Sequence, residues 1–67
     1  MGMDAVPLLV DVLSDQNAEA RAWAAWVLGQ IGPDAAIVSS ELEVLLDDAN
    51  QEVARAAADA LANIGGR

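Results

Sequence analysis

Displaced by 33 residues, the chain falls onto itself. Leu9 meets Leu42, Leu13 meets Leu46, Asp15 meets Asp48, Asn17 meets Asn50 and Glu19 meets Glu52. Further on, Ala24, Ala25, Leu28, Ile31 and Gly32 meet Ala57, Ala58, Leu61, Ile64 and Gly65. These are ten identities over the thirty aligned positions from Ala5 to Asp34. A repeat of this period is one supersecondary unit that cannot bury its apolar face alone, so two neighbouring copies must share a core. The 67 residues therefore read as a single domain made of one unit at 4–32 and another at 35–65.

Each unit reads as two helices. Helix A of the first unit spans about Asp4 to Leu13, with Asp4 as cap and Pro7 in the first turn, where its missing N–H costs nothing. The turn SDQN follows, Asn17 caps helix B, and helix B runs to Ile31, where Gly32-Pro33 stops it. In the second unit, helix A spans about Ala35 to Leu46, the turn is DDAN, and Asn50 caps a helix B that ends near Ile64 before Gly65-Gly66. Alanine-rich interiors favour helix intrinsically. The expected fold is all-α: an αα-superhelix of two helical hairpins.

The apolar stripes agree between the units. Helix A is expected to bury Ala5, Leu9, Val12 and Leu13, matched by Val38, Leu42, Leu45 and Leu46. Helix B is expected to bury Ala20, Ala24, Val27, Leu28 and Ile31, matched by Val53, Ala57, Ala60, Leu61 and Ile64. The i, i+4, i+7, i+8, i+11 spacing marks one helix face.

The strings VPLLVDVLSDQNAEARAWAAWVLGQIG and LEVLLDDANQEVARAAADALANIG resemble HEAT repeats, of the short kind also found in phycobilisome-lyase-type proteins. The resemblance runs from Asp4 to Gly65 and recurs twice in register. It implies that helix B lines a concave, partner-binding face. It also implies a ladder of hydrogen bonds between neighbouring repeats, made by the turn Asp and the helix-B Arg six residues later. Asp15 and Arg21 match those positions. Asp48 matches the first, but its partner position is Ala54, with Arg55 one residue late.

Composition excludes much else. Eleven acidic residues face three arginines, a net charge of −8, so a phosphate backbone or an anionic membrane surface is not an expected partner. The acidity either keeps an apolar-rich domain soluble or selects a basic partner. The chain has no His, Cys, Lys, Thr, Tyr or Phe, so Ser14, Ser39 and Ser40 have no histidine or lysine to activate them. Carboxylates alone remain as general bases, and no enzymatic activity or cofactor is expected. The stretch EVLLDD with Glu52 collects oxygens that a hard cation would accept; the plainer reading is an acidic turn whose Asp48 and Asn50 cap helix B, and no metal site is assigned. The longest apolar run, AWAAWVL, is far below the ~20 residues of a spanning helix. The N-terminal stretch has no basic region of the secretory type, so a soluble, cytoplasmic protein is expected.

What function remains is read from where the two units differ. Beside the core stripe of helix B lies a second stripe, Glu19, Trp23, Trp26 and Gln30, whose equivalents are Glu52, Ala56, Asp59 and Asn63. The fold does not demand the tryptophans, since the second unit does without them. They are either a contact surface or oversized core packed over the next helix pair. Glu19, Trp23, Trp26, Gln30, Arg55 and Asp59 form the candidate protein-binding face. On helix A, Val6, Leu8 and Val10 stand where the second unit has Ser39, Glu41 and Glu43, and form a candidate surface for self-association. Repeat arrays commonly need three or more units, so a two-fold homodimer of eight helices is expected. The favoured reading is a self-associating scaffold that binds another protein. The alternatives are a minimal unit or fragment of a longer solenoid without independent activity, or an accessory to a chromophore-lyase-type enzyme.

Overall fold

Asn17 and Asn50 start the two long helices by the same device. The side chain of Asn17 accepts the backbone N–H groups of Glu19 and Ala20, and that of Asn50 accepts those of Glu52 and Val53. Two otherwise orphaned donors are satisfied at each start, a contribution of about 1 kcal/mol per cap. In the computed structural model, which describes residues 2–65 with side chains from Pro7 onward, the order is α1 (Gly2–Val12), α2 (Ala18–Ile31), a 3₁₀ segment (Gly32–Val38), α3 (Ser39–Leu45) and α4 (Gln51–Ile64). No strand occurs among the described residues. The fold is all-α, two helical hairpins side by side.

The boundaries correct the sequence reading at two places. First, α1 begins at Gly2, so Pro7 lies inside the helix and removes one of its hydrogen bonds. Second, the expected continuous helix from Ala35 to Leu46 is two pieces, a 3₁₀ segment and a seven-residue α-helix. Pro33 opens the tighter turn, and the branched pair Ile37-Val38 is a poor continuation of an α-helix. The joint sits at Val38 (φ −109°, ψ 16°), and Ser39 Oγ donates back to the Ala36 carbonyl at 2.8 Å. The stop at Gly32 is conformational. Its φ of +79° favours glycine, while a Cβ there would meet nothing within 4 Å.

One core joins both units: Leu9 of α1 and Leu13 just after it, Ala24, Ala25 and Leu28 of α2, Leu42 and Leu45 of α3, and Val53, Ala57, Ala60 and Ile64 of α4, with Ala35 and Val38 from the 3₁₀ segment. Leu28, Leu42 and Val53 are its largest fully buried side chains. Val12, Val27, Ile31 and Leu61 pack against it half-buried, and Ala20 is half-buried. Ala5 lies outside the described side chains. Leu46 is a correction: its repeat equivalent Leu13, which faces Val44 and Leu45 of the second unit, is 5% exposed, but Leu46 has no such cover among the described residues and is 43% exposed. Ala25, Gly29, Gly32 and Ala35 are buried beyond the expected stripe. Helix α2 is packed on by α1, α4 and the 3₁₀ segment, so its buried arc is wider than one face. The most extensive contact in the molecule is between α2 and α4.

Candidate functional site

Glycine inside a helix costs about 1 kcal/mol relative to alanine, so Gly29 in the alanine-rich α2 needs a reason. A Cβ at Gly29 would stand 2.9 Å from Ala60 Cα and 3.1 Å from Ala60 Cβ. Ordinary carbon contacts are about 3.5–4.0 Å. The missing side chain lets the backbones of α2 and α4 approach closely. Helices α1 and α3 make no comparable approach, and a cleft of about 250 Å³ lies between Val10, Leu13 and Ser14 of one hairpin and Glu41, Val44 and Leu45 of the other.

On the close-packed side, α2 and α4 present a shared face. Trp23 and Trp26, three residues apart on one side of α2, are 55% and 58% exposed. Their repeat equivalents are the half-buried Ala56 and the exposed Asp59. Glu19, Gln30 and Arg55, the other expected face residues, are exposed too. Trp26, Gln30, Asp59 and Asn63 wall a groove of about 290 Å³, and Gly29 and Ala60 form its floor. The groove brings together three of the expected residues, Trp26, Gln30 and Asp59; Glu19, Trp23 and Arg55 do not line it. The sequence places Asn63 on the same stripe, as the equivalent of Gln30, but gives Gly29 no role and Ala60 only a place in the core. The signal for Gly29 was present: a glycine where the second unit has Ala62.

The three ladder residues meet, with one exchange of roles. Arg21 Nε donates to Asp48 Oδ2 at 2.9 Å and its Nη2 to Asp48 Oδ1 at 3.2 Å, a two-point ion pair between the units. Arg21 Nη1 donates to the backbone carbonyls of Asp15 at 2.7 Å and Gln16 at 3.1 Å. The Asp15 carboxylate instead accepts the Asn17 N–H at 2.8 Å, as Asp48 accepts that of Asn50. The Asn50 N–H, and after it the Arg21 guanidinium, hold the Asp48 carboxyl below its ordinary value of 3.8. Arg55 forms no ion pair among the described residues.

The candidate self-association surface is uneven. Leu8 is 70% exposed, whereas Val10 is half-buried against the core, and Val6 lies outside the described side chains. Ile37 and Val44 add exposed apolar surface on the second unit. Among the described residues, no three acidic side chains gather as a metal site would need, and no helix is long and apolar enough to cross a membrane.

Comparison with known proteins agrees with the all-helical hairpin fold. The family model described as HEAT repeats matches residues 2–62. The chain is similar to SkfG, an uncharacterized protein of Bacillus subtilis (strain 168), at 39% identity over 64 residues. That alignment takes in 96% of this chain and 37% of the relative, so the chain spans little more than a third of the relative's length. No solved structure gives a significant match.

Proposed function

Because the chain belongs to the HEAT-repeat family, whose members generally mediate protein–protein interaction, we propose that it is a protein-binding module whose contact surface is the α2/α4 face. One observation carries the reading: Trp23 and Trp26 are more than half exposed on the face where the second unit has Ala56 and Asp59. The core closes without them, since none of its buried positions is a tryptophan. Two large aromatic side chains left in water by a fold that has no use for them supply the anchors that binding hot spots are made of. Glu19, Gln30, Arg55 and Asp59 supply a polar rim around them. Proteins retained from an extract of the source cells by the intact chain, and lost with Trp23→Ala/Trp26→Ala but kept with Val44→Ser, support the reading. An identical set retained by all three chains refutes it.

A second reading is self-association into a homodimer. It is favoured by the exposed apolar side chains of Leu8, Ile37, Val44 and Leu46, which lie off the α2/α4 groove. Sedimentation at micromolar concentration tests it: a dimer that Leu8→Ser or Leu46→Ser dissociates supports it, and a monomer rejects it.

A further inference from the structure

The groove on the α2/α4 face has a chemistry more specific than an apolar cleft. Its lining brings Trp26 and Gln30 of α2 together with Asp59 and Asn63 of α4, an aromatic residue beside an acid and two amides. Among the described residues, none of the Asp59, Gln30 or Asn63 side chains has a hydrogen-bonded partner, and Arg55, one turn away on α4, is not paired with Asp59. Its acceptors are therefore unoccupied among the described residues. The volume of about 290 Å³ lies just under the ~300–1,000 Å³ of sites that hold drug-sized molecules, so it has room for one long side chain.

Three kinds of occupant can be weighed. An apolar side chain would cover Trp26 but strip water from Asp59, Gln30 and Asn63 and give nothing back, leaving buried acceptors unpaired. An anionic one would enter the field of a chain with net charge −8. A cation on a long aliphatic stem satisfies both kinds of lining residue. Its stem lies over Gly29 and Ala60, its charge rests on the indole face, and its donors meet the Asp59 carboxylate and the amide oxygens. A guanidinium fits best, because it is planar, stacks on aromatic rings and donates to a carboxylate at two points.

We propose that the partner protein inserts an arginine side chain into the groove between Trp26 and Asp59. This deepens, and rests on, the reading of the α2/α4 face as the contact surface.

The test is a titration of the full chain with a short Gly/Ser peptide carrying one central arginine, followed by tryptophan fluorescence. The comparison peptides carry citrulline, a neutral isostere of arginine, or leucine. Saturable change at millimolar concentration is expected with the arginine peptide. Affinity should fall about three- to tenfold for citrulline and for the Trp26→Ala and Asp59→Asn chains, the range of a partly exposed charge pair and a cation–π contact. Glu41→Gln, which removes an equal charge from an exposed position on α3, should leave affinity unchanged. The proposal is overturned if citrulline binds as well as arginine, if Asp59→Asn and Glu41→Gln weaken binding equally, or if the arginine peptide gives no saturable change. Should the leucine peptide bind in the arginine peptide's place, the arginine assignment fails while the α2/α4 face stands as contact surface. That face itself falls if the extract experiment is also insensitive to the tryptophans.

Discussion

Adding one methyl group at Gly29 sets two effects of similar size against each other. At an open helix position, Gly29→Ala would stabilise the chain by about 1 kcal/mol through helix propensity. Here the new Cβ arrives 2.9 Å from Ala60 Cα, and backbone cannot swing aside as a side-chain tip can. Reaching an ordinary contact requires α2 and α4 to separate by about 0.6 Å or more. That separation loosens the largest interface of the molecule, where Ala25, Leu28, Val53 and Ala57 lie buried. Overpacking of this kind costs about 1–3 kcal/mol. Because the whole α2/α4 contact is strained, the upper half of that range applies, and the net expectation is a loss of about 1–2 kcal/mol. For a domain of this size each kcal/mol moves the melting midpoint by about 4–8 °C. Urea unfolding followed by circular dichroism should show a lower midpoint with an unchanged slope. A Gly29→Ala chain more stable than the parent by about 1 kcal/mol would mean that α2 and α4 are not in close contact, and would refute the packing described.

Further outcomes follow from the same contacts. Leu13→Ala should cost about 2–5 kcal/mol, as a buried leucine does, and Leu46→Ala under about 1 kcal/mol; equal losses would show that the second unit's outer side is covered. Asp48 carries a lowered carboxyl pKa, so it contributes stability above 3.8, and that contribution is lost as the pH falls below 3.8 toward its folded value. Asp48→Asn should therefore remove part of the acid limb of a stability–pH profile, and an acid limb identical in both chains would contradict the Arg21–Asp48 pairing. Gly32→Ala should destabilise despite the open space around it, because the position holds φ +79°; a neutral result would show that the α2 stop relaxes freely.

The parts of the fold legible in sequence are those governed by local chemistry. Asn17 and Asn50 announce both long helices, Gly32 ends the first, and the 33-residue shift places Leu9, Leu28, Leu42 and Ala57 in one core. The repeat misleads where the two units stop being equivalent. It gave Leu46 the environment of Leu13, although burial depends on the neighbouring unit rather than on the residue itself. It also hid the 3₁₀ segment, because the first unit has no counterpart to the Pro33 and Ile37-Val38 turn that shapes Gly32–Val38. The tryptophans were legible as residues outside the core stripe. The groove beside them was not, since it depends on how closely α2 and α4 approach, and that distance is set by the lone hydrogen of Gly29 against Ala60.

The claim that Trp23 and Trp26 form a surface carried by the fold, and are not part of what holds it together, is tested most directly by the urea midpoint of the Trp23→Ala/Trp26→Ala chain. Each truncation removes a side chain more than half in water and gains some helix propensity from alanine, so the expected loss is about 1 kcal/mol or less, with helicity retained. A buried tryptophan cut to alanine costs about 3–5 kcal/mol, and a loss on that scale, or an unfolded chain, would place the pair in the core and contradict the binding face.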